Sequence, residues 1–178
     1  GCATMGYDLP AGLGAAYGAP DRPLFVLGGE GSMMMNLQEL ATIAGNKIPA
    51  KIFLLNNNGY ISIRQTQDNF FSGRHIGLNA ASGVYFPEFE KIAKAFGLPY
   101  LSIRNNEEIE ENVKQMLEMS GPVFCEVLLT ENYIFEPKTS SARKPDGRIV
   151  SKPLEDLYPF LPREEFAKNM IIQPLKEE

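Results

Sequence analysis

Two short polar segments of this sequence carry residue types that could bind a metal ion and a phosphate. The first is the glycine loop Gly28-Gly29-Glu30-Gly31-Ser32, and the second is Asn56-Asn57-Asn58-Gly59-Tyr60. Glycines allow backbone N–H groups to approach an anion closely, and a helix N-terminus adds a favourable dipole. Glu30 and Asn57 lie 27 positions apart, and carboxylate and amide oxygens suit a hard cation such as Mg²⁺. The two segments together predict a site for a phosphate held through a divalent ion.

Each segment has a simpler interpretation when it is taken alone. The glycine loop is also typical of a tight strand-to-helix turn, and Met34 stands where a dinucleotide fingerprint has its third glycine. No Gly-Lys-Ser/Thr follows it, so it is not a P-loop. Asn58-Gly59 is typical of a hairpin turn, although the following residues 61–65 do not form a clean partner strand.

The surrounding pattern predicts the elements that position these segments. Short apolar runs predict four strands, at Leu24–Leu27, Ile52–Leu55, Tyr100–Ile103 and Val123–Leu129. Apolar residues at helical spacing predict helices that contain Met33, Leu37, Leu40, Ala41 and Ala44; then Phe89, Ile92, Ala93 and Phe96; then, after an Asn105 cap, Ile109, Val113, Met116 and Leu117. This alternation predicts a three-layer α/β/α fold with a mostly parallel sheet, whose strand ends bring Glu30 and Asn57 together.

Composition excludes several classes of protein. The chain has 178 residues, the size of one globular domain, and its net charge of -5 argues against a nucleic-acid binder. No apolar run approaches the ~18 residues that a membrane span needs. Cys2 and Cys125 are expected to be free thiols in a reducing, cytoplasmic compartment. His75 is the only histidine, and we assign it no role.

The two ends of the chain differ from its centre. The sequence opens Gly-Cys-Ala-Thr-Met without an initiator methionine, which predicts a piece of a longer protein. After about Thr130 the alternation stops, and the segment 138–152 carries five basic residues against one acid. We therefore divide the chain into residues 1–130 and a C-terminal extended arm and docking segment, residues 131–178. A solvated tail is an equally good interpretation of the basic segment.

The central segments resemble a known motif. The stretch GGEGSMMMNLQELATIAGNKIPAKIFLLNNNGY resembles the thiamine diphosphate motif, and GCATMGYDLPAGLGAAYGAP resembles the acetolactate synthase family in particular. The resemblance covers residues 1–130 and implies the thiamine diphosphate-binding fold, with thiamine diphosphate and Mg²⁺ as cofactors. It implies decarboxylation of a 2-keto acid such as pyruvate on the cofactor, followed by transfer to a second carbonyl.

The resemblance also assigns site residues by position. It implies metal ligation by the side chains of Glu30 and Asn57 and by the backbone carbonyl of Gly59. It implies that Met5 supports the bent shape of the cofactor. The residues expected at the cofactor are Ala3, Met5, Gly29, Gly31, Ser32, Asn57, Gly59 and Tyr60.

No catalytic residue is expected in this chain. By resemblance, the glutamate that activates the cofactor comes from a pyrimidine-binding domain of the same or a partner subunit. The isolated chain should therefore be inactive, and a homodimer or homotetramer is expected.

Two departures from the family pattern keep alternatives open. Glu30 stands where the family has aspartate, and Ile63 stands where pyruvate decarboxylases carry glutamate. The alternatives are a 2-keto acid decarboxylase or another carboligase, a catalytically silent cofactor-binding or regulatory homologue, and a nucleotide-binding domain.

Overall fold

The chain divides into two compact units between Asn132 and Tyr133. The structure, a computed structural model, describes residues 4–173. Within these residues no helix is both long and apolar enough to cross a membrane. The prediction that a cofactor domain precedes a docking arm stays a prediction.

The first unit alternates helices and strands. Its helices are α1 (Asp8–Gly18), α2 (Glu30–Met33), α3 (Glu39–Gly45), α4 (Ile61–Phe70), α5 (Phe89–Ala95) and α6 (Ile109–Glu118). Its strands are β1 (Leu24–Gly29), β2 (Ala50–Asn56), β3 (Tyr100–Ile103) and β4 (Val123–Leu128). Short 3₁₀ turns cover Met34–Asn36, Ala80–Ser82 and Asn106–Glu108.

The four strands form one parallel sheet in the order β1-β2-β4-β3. This confirms the predicted α/β class and the four predicted strands. Because all four strands run the same way, the segments that follow β1 and β2 leave the sheet at the same edge. The register pairs Gly29 with Leu55, so Glu30 and Asn57 follow neighbouring strand ends.

The core lies on both faces of the sheet because side chains alternate along each strand. On one face, Ile52 and Leu54 of β2 and Phe124 of β4 belong to a buried cluster with residues from α1, α3 and α5. On the other face, Val123 and Cys125 pack with Met116 of α6. This placement explains why the strands read as continuous apolar runs. Burial raises the pKa of Cys125 to about 11, as expected for an unreactive core thiol.

Some details of the predicted helices are wrong. The helix expected from Met33 is split into α2, a 3₁₀ turn and α3. Ile109 and Leu117 of α6 are exposed, and Met116 is its only buried residue. Helices α1 and α4 were not predicted. α4 begins at Ile61, which excludes a hairpin turn at Asn58-Gly59.

The second unit contains a hairpin and a short helix. Strands β5 (Ser141–Arg143) and β6 (Ile149–Ser151) pair antiparallel within the basic segment, and α7 covers Arg163–Asn169. Asp156 is 2% exposed and accepts two hydrogen bonds from the Arg163 guanidinium, at 2.7 and 2.9 Å. Lys152 Nζ lies 3.6 Å from the same carboxylate. These cations lower the pKa of Asp156, with the Arg163 hydrogen bonds as the largest cause.

We expect Asp156→Asn to destabilise the second unit by about 2 kcal/mol at neutral pH, because charge-assisted hydrogen bonds are lost. The carboxylate's contribution is present above its unfolded pKa near 3.8 and is lost as the pH falls through its lowered folded pKa. Amide hydrogen exchange of residues 141–151 in the intact protein measures this effect between pH 7 and pH 3. Asp146→Asn, in an exposed pair with Arg148, is the control and should show little change; equal effects would contradict the prediction.

Candidate functional site

The carboxylate of Glu30 contacts the turn that follows β2. Its Oε1 accepts hydrogen bonds from the backbone N–H of Gly59, at 2.7 Å, and of Asn57, at 3.2 Å. Glu30 is the first residue of α2, directly after β1, and is only 1% exposed. The two polar segments singled out in the sequence therefore meet at one edge of the sheet.

The electrostatic surroundings of Glu30 disfavour its charge. Burial raises the pKa of this carboxyl, the amides of Gly59 and Asn57 oppose the rise, and the nearby carboxylate of Glu126 adds to it. The ion pairs found among the described residues do not include Glu30. A divalent cation at this carboxylate would supply the missing positive charge.

The turn after β2 has a backbone conformation that only a few residue types adopt readily, and residues of those types stand there. Asn58 has φ +57° and Gly59 has φ +155°, in a region that favours asparagine or glycine. A Cβ at Gly59 would lie 2.5 Å from the carbonyl oxygen of Leu78. That carbonyl also accepts the N–H of Tyr60, at 2.9 Å. These contacts fix the turn in the shape that directs its N–H groups at Glu30.

The glycine loop packs against the same turn. Gly31 is buried, and a Cβ there would lie 2.1 Å from the ring of Tyr60. The Tyr60 ring in turn contacts Phe86 edge-on. Gly29 differs, because the nearest atom to a Cβ there would be the carbonyl oxygen of Leu55, 3.9 Å away. No contact within residues 4–173 therefore explains the lack of a side chain at Gly29.

The segment before α1 is attached to the last residue of the glycine loop and to the 3₁₀ turn that follows α2. Ser32 Oγ accepts the N–H of Gly6 at 2.8 Å, and Asn36 Nδ2 donates to the carbonyl of Gly6 at 2.6 Å. Met5, next to this anchor, is 43% exposed. Ala3, also expected at the cofactor, lies outside the described residues.

The three residues expected at a metal ion meet through the backbone N–H groups of Asn57 and Gly59, while other residues lie elsewhere. Glu30, Asn57 and Gly59 are joined by hydrogen bonds, whereas Ile63 lies on α4 and is 39% exposed. His75 pairs with Asp68 at 2.6 Å. No group of three His, Cys, Asp or Glu side chains gathers for a metal in residues 4–173. The ligand set expected from the sequence contains only one such side chain, Glu30. Its other two ligands are an asparagine amide and a backbone carbonyl, so the expected set is not a cluster of this type.

Three polar side chains meet beside the turn without a role predicted from the sequence: those of Glu126, Asn56 and Tyr100. Glu126 lies within the apolar strand β4 and is 8% exposed. It accepts hydrogen bonds from Asn56 Nδ2, at 2.6 Å, and from the Tyr100 hydroxyl, at 2.5 Å. A charged residue inside an otherwise apolar run is the signal that could have found Glu126, and no comparable signal marks Asn56 and Tyr100.

The fold and this contact define a class of protein: a parallel α/β domain whose strand ends present a glycine loop and a buried carboxylate. The family model described as "Thiamine pyrophosphate enzyme, C-terminal TPP binding domain" matches residues 1–127. The chain belongs to this family.

Curated relatives agree with this assignment. Over 154 residues the chain is 37% identical to the acetolactate synthase large subunit of Porphyra purpurea, covering 86% of the chain and 26% of the relative. It is 35% identical over 133 residues to acetolactate synthase 2, chloroplastic, of Nicotiana tabacum, covering 72% of the chain and 20% of the relative. The chain thus spans about a quarter or less of the length of these relatives.

We expect Glu30→Gln to keep or raise the stability of the metal-free protein at pH 7. Glutamine retains an oxygen for the two amides and removes the charge that burial disfavours. A raised folded pKa means that the protonated carboxyl favours the folded state, and that this contribution is lost as the pH rises through the folded pKa. The advantage of the variant should therefore shrink as the pH falls towards 4.5, the pKa of a free glutamate side chain. Thermal unfolding with a chelator at both pH values tests this. A large loss of stability at pH 7 would contradict it.

Proposed function

We propose that this chain forms the diphosphate- and Mg²⁺-binding part of a thiamine diphosphate-dependent, acetolactate synthase-like carboligase. The observation that supports the proposal most directly is the bond between the Glu30 carboxylate and the N–H of Gly59, 2.7 Å long. It joins the two motif segments at neighbouring ends of parallel strands, where α/β sheets bind ligands. Membership of the thiamine pyrophosphate enzyme family supplies the identity of the cofactor.

The residues at this edge suit Mg²⁺. A carboxylate (Glu30), a side-chain amide (Asn57) and a backbone carbonyl (Gly59) are the hard oxygen donors that this ion prefers. The glutamate at position 30, where the family has aspartate, still brings its carboxylate to the turn. This contact supports the proposal that a glutamate at position 30 serves as the ligand where the family has aspartate.

The other proposed contacts follow from the same placement. Gly29, Gly31 and Ser32 would approach the diphosphate through the first turn of α2, and the exposed Met5 would support the bent cofactor. Thiamine diphosphate, when bound, supplies a nucleophilic carbon and an electron sink for 2-keto acids. This chain's residues would bind and orient the diphosphate end.

Substrate and partners are proposed from the relatives. Those relatives are named acetolactate synthases, and we propose that the intact protein decarboxylates a 2-keto acid such as pyruvate and transfers the remainder to a second carbonyl. We propose a pyrimidine-binding domain of the same or a partner subunit as the source of the activating glutamate, in a homodimer or homotetramer. A cytoplasmic location stays a prediction, since the tobacco relative is described as chloroplastic.

We expect Gly29→Ala to leave the fold unchanged and to weaken thiamine diphosphate binding. Gly29 has φ -79° and ψ 160°, which alanine adopts readily, and its Cβ would have room. The only expected conflict is with a diphosphate approaching the backbone. Calorimetric titration of the intact protein with thiamine diphosphate and Mg²⁺ measures the affinity, and thermal unfolding of the ligand-free protein measures stability.

The matched control for this change is Gly14→Ala in α1, where a Cβ would meet no atom of the described part of the chain within 4 Å. It should leave the affinity unchanged. Glu30→Ala and Asn57→Ala should each abolish Mg²⁺-dependent binding. If the wild-type protein gives no heat with thiamine diphosphate but does with ATP or NAD, the nucleotide-binding alternative replaces this proposal.

A product assay separates the enzymatic alternatives. With pyruvate, we expect the intact protein to form acetolactate, because Ile63 stands where pyruvate decarboxylases carry glutamate. Acetaldehyde as the main product would favour a 2-keto acid decarboxylase. Tight cofactor binding with no turnover of any 2-keto acid would favour a catalytically silent homologue.

A further inference from the structure

Glu126 is a carboxylate at an unusual place, near the end of the interior strand β4. It is 8% exposed, and its neighbours along the strand are apolar: Cys125 belongs to a buried cluster, and Val127 packs against that cluster. Burying a carboxylate costs free energy unless hydrogen bonds compensate for the lost water. Its partners are Tyr100 on β3 and Asn56 on β2, one on each side of β4. The ladder of backbone bonds already joins these strands, so the carboxylate is not needed to hold them together.

The bond to Asn56 fixes how that side chain is oriented. An ionised carboxylate only accepts hydrogen bonds, so the Asn56 amide must turn its NH₂ group towards Glu126. Its oxygen then faces the other way, and Oδ1 accepts the backbone N–H of Asn58 at 2.9 Å. The side chain thereby closes a short turn over its own backbone, a conformation that asparagine favours.

This turn contains the two N–H groups that bind Glu30. The N–H of Asn58 is directed at Asn56, while those of Asn57 and Gly59 are directed at Glu30 Oε1. A second bond holds the turn from outside, since Asn58 Nδ2 donates to Glu131 Oε1 at 2.7 Å. The orientation of Asn56 therefore helps to set where the neighbouring amides are presented, together with the bond from Tyr60 to Leu78 and the bond from Asn58 to Glu131.

We propose that Glu126 is a positioning residue for the metal-binding turn and that it acts through Asn56. The inference rests on the proposed function, because it assigns Glu126 a part in Mg²⁺ binding without contact to the ion. Its carboxylate oxygen accepts from the Asn56 amide and so fixes the orientation of that side chain, which in turn helps to hold the turn that carries Asn57 and Gly59. Outer hydrogen-bond partners of metal ligands act in this way in other proteins.

Glu126→Gln tests the proposal, because a glutamine side chain offers both a donor and an acceptor and no longer dictates how Asn56 is oriented. We expect roughly a tenfold to hundredfold loss of Mg²⁺ affinity, the range for such partners. The measurement is a calorimetric Mg²⁺ titration of the intact, metal-free protein with saturating thiamine diphosphate. Thermal unfolding of the same samples records stability separately.

Lys51→Met is the matched control for general destabilisation. Lys51 is also 8% exposed, but it lies near the start of β2, away from the metal-binding turn, and donates to the carbonyls of Met119 and Gly121. We expect this variant to lose thermal stability and to keep its Mg²⁺ affinity. An equal loss of affinity in both variants would mean that Glu126 acts only through the stability of the sheet, and would overturn the proposal.

A double-mutant cycle tests the route through Asn56. Glu126→Gln should cause no further loss of Mg²⁺ affinity in an Asn56→Ala background. Unchanged affinity in Glu126→Gln, or losses that add, would overturn the inference and leave the proposed function standing. If Glu126→Gln does not fold, Asn56→Ala alone decides, because unchanged affinity there removes the route. A wild-type protein that binds no Mg²⁺ would instead overturn the proposed function.

Discussion

The contact between the Glu30 carboxylate and the N–H groups of the turn after β2 is the constraint on which the site depends. It requires β1 and β2 to be parallel neighbours, so that both polar segments leave the sheet at one edge. It also requires a turn with positive φ at Asn58 and Gly59, which presents two N–H groups to one oxygen. The parallel pairing of β1 and β2 satisfies the first requirement, and the residue types at positions 58 and 59 satisfy the second.

Buried charges serve different purposes at the two ends of this sheet. Near the start of β2, Lys51 donates to the carbonyls of Met119 and Gly121, which follow α6, and so completes hydrogen bonds that the backbone lacks. At the other end, Glu30 and Glu126 are two buried carboxylates. The pKa of Glu30 is raised mainly by burial, and the charge of Glu126 adds to that rise. Two like charges buried near each other oppose stability, and strongly perturbed carboxyl groups of this kind cluster at functional sites in proteins.

Sequence patterns predicted the parts of this structure that depend on local periodicity. The four strands are short apolar runs and fall where the pattern places them, and Asn105 caps the N–H groups of Glu107 and Glu108. α4 was missed because its ten residues are mostly polar, with only Ile61 and Gln65 buried. The part played by Glu126 could not be predicted, since it depends on which strands flank β4, and that order is set by packing across the whole sheet.

The residue at position 30 bears on whether this chain has kept the function of its family. A silent homologue would be expected if the longer side chain of glutamate carried its carboxylate away from the turn. The side chain instead folds against the turn, with Oε1 2.7 Å from the N–H of Gly59 and the residue 1% exposed. The two N–H groups compensate part of the cost of burying this carboxylate, and no cationic side chain among the described residues is paired with it. The extra methylene thus leaves a carboxylate at the turn, so the residue type at position 30 does not by itself argue for a silent homologue.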